Sequence, residues 1–149
     1  MIDKKYLFKK TEKIRLTLTR QWIQEYAEAI GDYEPIYFDK MAAQKRGFSD
    51  VVAPVTMPVI FWQYFDIPWL KHLPVIIHGK QSFQYNEPLI AGRTYECVIQ
   101  LVSLKNKNRK NGTMMQIADH ELTVSQEKKI CAVSYTTLII MEEENEPFS

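Results

Sequence analysis

The spacing of apolar positions changes character twice along this 149-residue chain. Lys13 to Thr17 alternates, with Ile14 and Leu16 on one side, and predicts a short first strand. Thr19 then reads as a helix N-cap. From Arg20 to Ile30 the residues Trp22, Ile23, Tyr26, Ala27 and Ile30 fall at helical spacing, and Gly31 is placed to end the helix. Asp32 to Phe38 resists regular structure, because Pro35 lacks a donor and pushes Glu34 out of the α region. Asp39 caps a predicted short helix, Lys40 to Arg46, closed by Gly47. Pro54 and Thr56 open the next helix, with Pro58 tolerated in its first turn. Its residues Val59, Ile60, Phe61, Trp62, Tyr64 and Phe65 leave almost no polar face. Such a helix is expected to be surrounded on most sides by other structure. Pro68 and Pro74 break it up.

Beyond Pro74 the pattern belongs to strands. Ile76 to Tyr85, Thr94 to Asn106, Met114 to Gln126 and Lys129 to Met141 are rich in β-branched and aromatic residues. Pro88 with Ala91-Gly92, Asn111-Gly112, and Gln126 to Lys128 mark the three connections. Read this way, four consecutive hairpin-linked strands join the first strand in a sheet large enough to curl around a single apolar helix. That is the α+β hot-dog architecture, expected as one domain over residues 1–149. Its acidic tail, from about residue 142, is expected to fray. Helices laid on one sheet face are the alternative arrangement.

A net charge of +1 leaves no concentrated basic surface for nucleic acid. The basic cluster Lys105 to Lys110 is interleaved with asparagines and reads as a solvated hairpin loop. Cys97 and Cys131 lie far apart in apolar strand sequence, as buried reduced thiols do. His72, His78 and His120 are not clustered with them, so neither a metal nor a cofactor is expected. The N-terminal stretch MIDKKYLFKKTEK lacks the apolar core of a signal peptide. Val51 to Leu70 is interrupted by Pro54, Pro58, Asp66 and Pro68, so no membrane span is expected. A cytoplasmic protein fits these features.

Three stretches carry a resemblance. They are YAEAIGDYEPIYFD (Tyr26 to Asp39), DVVAPVTMP (Asp50 to Pro58) and HGKQSFQYNEPLIAG (His78 to Gly92). In this order and spacing they resemble the N-terminal, FAS1-type half-domain of MaoC-like dehydratases, the R-specific hydratase group, over roughly Thr11 to Met141. The resemblance implies binding of acyl thioesters, carried by CoA or an acyl carrier protein, and reversible hydration of a trans-2-enoyl thioester to the (3R)-hydroxyacyl form. In catalytic members of the group an Asp-x-Asn-Pro-x-His loop supplies the acid and base. Backbone N–H groups at the start of the central helix polarise the thioester. Here Asp32 stands at the Asp position, Glu34 replaces the Asn, Pro35 is kept, and Tyr37 replaces the His. A phenol is a poor general base at neutral pH. Pro54-Val55 stands where active relatives have His-Gly, so a side chain occupies the place where the thioester carbonyl would approach.

These departures resemble the non-catalytic partner of split or fused dehydratases. The leading expectation is therefore a substrate-holding subunit, with Pro54, Val55, Thr56 and Glu34 around the acyl group, paired with a catalytic MaoC-like subunit. One alternative is a self-sufficient hydratase using Asp32 with Tyr37 or His78. Another is an acyl-CoA-sensing module without turnover, and a hot-dog thioesterase is weaker still. Plainer roles stand beside each residue: Asp32 as a turn former, Tyr37 as a packing residue, and His78 as a structural histidine. Hot-dog domains usually join their sheets, so a homodimer or heterodimer is expected.

Overall fold

The computed structural model describes residues 1–143. One antiparallel sheet contains β1 (Ile14–Thr17), β2 (Val75–Tyr85), β3 (Thr94–Asn108), β4 (Met114–Gln126) and β5 (Lys129–Met141), in the spatial order β1-β3-β4-β5-β2. Two α-helices precede its long strands: α1 (Arg20–Ala29) and α2 (Lys40–Lys45). The predicted caps form. Thr19 Oγ1 accepts from the Trp22 N–H at 3.0 Å, and Asp39 Oδ1 accepts from the Met41 N–H at 3.0 Å. Gly31 and Gly47, just past the two helices, adopt φ of +71° and +93°, where a side chain would strain the backbone.

The strand order corrects the expectation of four consecutive hairpins. β3, β4 and β5 are joined by hairpins, but β2 pairs with β5 rather than with β3. Residues 86–93 carry the chain across. Leu89, Ile90 and Ala91 are buried, Ala53 N–H donates to Leu89 O, and Ala91 N–H donates to Val51 O. Alternation dictates which side chains face the core but not which strand lies beside which. A second correction concerns Lys105 to Lys110: β3 runs to Asn108, so Lys105 and Lys107 are strand residues, and the loop is confined to 109–113. The acidic end is tied down at its start, where Met114 N–H donates to Glu142 Oε2 (2.7 Å). Residues 144–149 of the predicted tail lie outside those described.

The concave face of the sheet supplies the core. Tyr95, Cys97, Ile99 and Leu101 of β3, Ala118, Leu122 and Val124 of β4, and Leu138 and Ile140 of β5 are buried there. α1 adds Ile23, Tyr26 and Ala27. The N-terminus closes one end: Ile2 is buried, its N–H donates to Gln116 Oε1 (2.6 Å), and its carbonyl accepts from Gln116 Nε2 (3.0 Å).

The apolar segment that the sheet curls around differs from the expected α-helix. It is a 3₁₀ helix over Met57–Tyr64, with a second short 3₁₀ turn at Pro68–Leu70. Pro58 removes a donor, and the β-branched and aromatic residues that follow are weak α-formers, so the tighter i→i+3 winding prevails. Nor is it enclosed all round. Met57, Pro58 and Phe61 are buried, Val59, Ile60 and Trp62 are half-buried, and Tyr64 is exposed. The open side faces the β2 edge, where Val75, Ile76 and Ile77 are each more than 40% exposed.

One polar residue sits at the centre of this packing. His120 is 1% exposed, on the inward side of β4. Trp69 Nε1–H donates to His120 Nε2 at 2.9 Å, and His120 Nδ1 lies 3.1 Å from Ala118 O. The ring stacks on Trp69 and meets Trp62 edge-on at 5.3 Å. These bonds suit the neutral ring, with Nδ1–H donating and Nε2 accepting. Burial lowers the His120 pKa to about 4. Because the folded value lies below the ordinary one, the stabilisation is present above about pH 6.5 and is lost as pH falls toward 4. His120→Gln is expected to flatten that part of the stability–pH curve by on the order of 3 kcal/mol at full extent. Thermal melts of both proteins across this range measure the difference.

Candidate functional site

The three stretches of the resemblance converge at the start of the central 3₁₀ helix. The turn Pro54–Met57 leads into it, closed by Met57 N–H donating to Pro54 O at 3.0 Å. Two tyrosine hydroxyls hold the residues inside this turn. Tyr85 Oη, at the end of β2, donates to Val55 O at 2.6 Å, and Tyr26 Oη, on α1, shares a hydrogen bond with Thr56 Oγ1 at 2.6 Å. Among the described residues, the Val55 and Thr56 backbone N–H groups have no protein acceptor. The turn therefore presents two donors at the positive end of the helix.

Beside the turn lies an apolar cavity of about 360 Å³. Ile36, Tyr37, Phe48, Val52, Val55 and Tyr85 contribute to its walls, with Asn86 and Glu87 at the polar margin. The loop after α1 supplies Tyr37. Pro35 starts a single 3₁₀ turn, Pro35–Tyr37, and Val52 N–H donates to Ile36 O at 3.1 Å, fixing the loop against the turn. The volume falls within the usual range of small-molecule sites, toward its lower end.

The predicted residues separate into three places. Tyr37 and Val55 line the cavity, and Thr56 and Pro54 form the adjoining turn. Asp32 and Glu34 sit on the loop beside Tyr37. Asp32 Oδ1 accepts from the Glu34 N–H at 3.3 Å, the turn-forming use of an aspartate. Burial first, then the charges of Asp32 and Glu34, raise the Tyr37 pKa above its ordinary value, so the phenol stays protonated at neutral pH. His78 is elsewhere, on β2, with Nε2 3.1 Å from Gln81 Oε1. No hydrogen bond joins Asp32 to a histidine among the described residues, nor do three His, Cys, Asp or Glu side chains gather as a metal site.

Sequence reading missed Tyr26 and Tyr85 as the clamps on the turn, and Phe48 and Val52 as cavity walls. Tyr85 carried a signal in the β2 alternation, since it faces buried Ala132 across the ladder. Nothing local marks Phe48, which the fold brings in from the end of α2.

Comparison with known proteins establishes the family and the fold. The family model for the FAS1-like dehydratase domain region matches residues 8–133. The chain belongs to that MaoC-like family. A UPF0336 protein from Thermobifida fusca is 36% identical over 95 residues, which are 60% of this chain and 62% of the relative's length. The chain thus spans less than two thirds of that relative, as it does of the similar proteins from Clavibacter michiganensis and Streptomyces avermitilis. Among solved structures, a chain of the C-terminally truncated HadBC (3R-hydroxyacyl-ACP dehydratase) complex of Mycobacterium tuberculosis superposes with a TM-score of 0.73 at 22% identity, covering 90% of this chain and 96% of that one. A MaoC-like dehydratase gives a TM-score of 0.76 at 20% identity, over 91% of this chain and 42% of that one. At these identities the structures establish the hot-dog fold. No helix among the described residues is long and apolar enough to cross a membrane.

Removing the Tyr85 hydroxyl tests the clamp. Tyr85→Phe keeps the ring in the cavity wall but frees Val55 O, and is expected to cost about 1 kcal/mol of stability. Urea denaturation should show a lower midpoint with an unchanged slope.

Proposed function

We propose that this chain is the substrate-holding subunit of a MaoC-type dehydratase, seating an acyl thioester while a partner chain carries out the chemistry. The observation that carries this reading is the phenol of Tyr37, which burial and neighbouring carboxylates keep protonated where catalytic relatives place an imidazole. General acid–base work near neutral pH calls for a group that exchanges its proton there, and this phenol does not. The binding features remain: a cavity of about 360 Å³ and the Pro54–Met57 turn, whose Val55 and Thr56 N–H groups have no protein acceptor among the described residues. A thioester oxygen needs such donors whether or not the same chain moves protons.

A partner of similar fold is supported by the open edge of the sheet. β2 is an eleven-residue strand with β5 on one side only, and its Val75, Ile76 and Ile77 are exposed. Edges of this length and apolarity are normally covered. The similar HadBC structure is described as a complex.

Hydration of an enoyl thioester by the pure chain, with and without a MaoC-type catalytic chain, tests the reading. The pure chain is expected to show no turnover above the uncatalysed rate, and Asp32→Ala to change nothing. Adding the catalytic chain should give activity beyond that chain's own. Robust turnover by the pure protein, abolished in Asp32→Ala, would instead make it a self-sufficient hydratase. In a parallel test, Ile77→Lys is expected to weaken assembly through the β2 edge at least tenfold, read by light scattering on a sizing column, while leaving the melting temperature of the isolated chain nearly unchanged.

A further inference from the structure

At the sheet edge opposite β2, the segment that precedes β1 lies along β3. Phe8 N–H donates to Leu101 O at 2.7 Å, and Gln100 Nε2 donates to Phe8 O at 3.0 Å. Leu101 N–H donates to Lys9 O at 3.1 Å, and Thr11 N–H donates to Ile99 O at 2.8 Å. A reverse turn leads into this pairing. The short 3₁₀ turn Lys4–Tyr6 ends at Leu7, with φ −57° and ψ 128°, and Phe8 follows with φ +68°. Lys9 N–H closes the turn on Tyr6 O at 2.9 Å. These are the angles of a type II turn with Phe8 as its third residue, the place that calls for glycine or asparagine. A bulky side chain at positive φ is strained there.

The strained side chain gains little packing, for Phe8 is 65% exposed. Tyr6 anchors the turn instead, its ring 6.0 Å from that of Trp69. Lys4, Lys5, Lys9 and Lys10 flank Phe8 in sequence, all four are exposed, and no carboxylate lies between Lys4 and Lys10. Asp3 Oδ1 accepts from the Lys5 N–H at 2.9 Å and so caps the 3₁₀ turn, while Lys5 Nζ lies 5.1 Å from the centre of the Tyr6 ring. None of the four ammonium groups has an ion-pair partner among the described residues. The fold thus holds an apolar ring outward, against its backbone preference, within a run of four positive charges. Strain retained at an exposed position points to a use other than stability.

We propose that this turn docks the protein on an anionic lipid surface, with Phe8 entering the interface and the lysines meeting headgroup phosphates. An exposed aromatic side chain within a basic cluster is the pairing that interfacial binding uses. Charge carried by lysine alone suits a diffuse negative surface, since an ammonium is a point charge without the bidentate fork of arginine. The tip of a reverse turn is convex and presents one anchor, so it fits a surface that yields around it better than a shaped pocket. The contact is with a surface and requires no spanning helix. It goes beyond thioester holding and does not depend on it. β2, the edge left for a partner chain, lies on the far side of the sheet.

Sedimentation of the pure chain with vesicles tests the inference. Phosphatidylcholine vesicles containing about 30% phosphatidylglycerol are expected to bind it about tenfold more strongly than phosphatidylcholine alone, and less as salt rises. Phe8→Gly keeps every lysine and relieves the turn. Its binding to the anionic vesicles is expected to drop about tenfold, the worth of burying one apolar side chain. Its melting temperature should rise by about 2–4 °C. Phe8→Asn, which also tolerates this backbone, should lose binding in the same way, and Lys9→Glu with Lys10→Glu should remove the preference for anionic vesicles. Failure to sediment with the anionic vesicles, equal binding to both kinds, or binding that Phe8→Gly and Phe8→Asn leave unchanged overturns the inference. So does a lower melting temperature in both Phe8 variants, which would assign the ring to the fold.

Discussion

A five-stranded sheet with an apolar concave face must be covered, and among the described residues the short segment Met57–Tyr64 is the most apolar element that covers it. Phe61 and Met57 of that segment are wholly buried, and the Trp69–His120 hydrogen bond pins its end to β4. Most other features follow from this burial. α1 and Ile2 fill what the segment cannot reach. Residues 86–93 cross the end of the sheet and bury Leu89, Ile90 and Ala91 from among themselves. What no described element covers is the side toward β2. That is where the apolar residues Val75 to Ile77 lie exposed.

The site inherits its shape from the same constraint. Because the central segment begins at a turn held by hydroxyls from α1 and β2, the donors at its start are fixed by the scaffold rather than by a ligand. Preorganisation of this sort favours binding whether or not proton transfer follows. The two functions are separable in the residues. Those that shape the cavity come from four different segments, Tyr37 among them, whereas of those expected to move protons Asp32 is spent on a turn, Tyr37 holds its proton, and His78 lies away on β2.

Much of this was legible in the sequence where the cause is local. Thr19, Asp39, Gly31 and Gly47 act on neighbours within a few residues, and their roles were read correctly. The strand spans were also legible, because burial of one face imposes a period of two. The crossing of β2 to β5 was not, since strand order is a property of the whole sheet. The winding of Met57–Tyr64 was misread because apolarity signals burial but not which helix is formed. His120 drew no role, although its inward place between Ala118 and Leu122 was visible, because its partner Trp69 is 51 residues away. The candidate site was half legible: Tyr37 and Val55 share a cavity, while the clamps from Tyr26 and Tyr85 depend on contacts across 30 residues.

The Gln116 clamp on Ile2 has a consequence for how the chain is made. The two residues are 114 positions apart, so the docking site of the second residue does not exist until most of the domain has been synthesised. The N-terminal segment must wait, extended and unpaired, while α1 and the strands form. Contacts of such separation carry a large closure cost and form late in folding. The contact between Ile2 and Gln116 is therefore among the last to form, and it completes that end of the core.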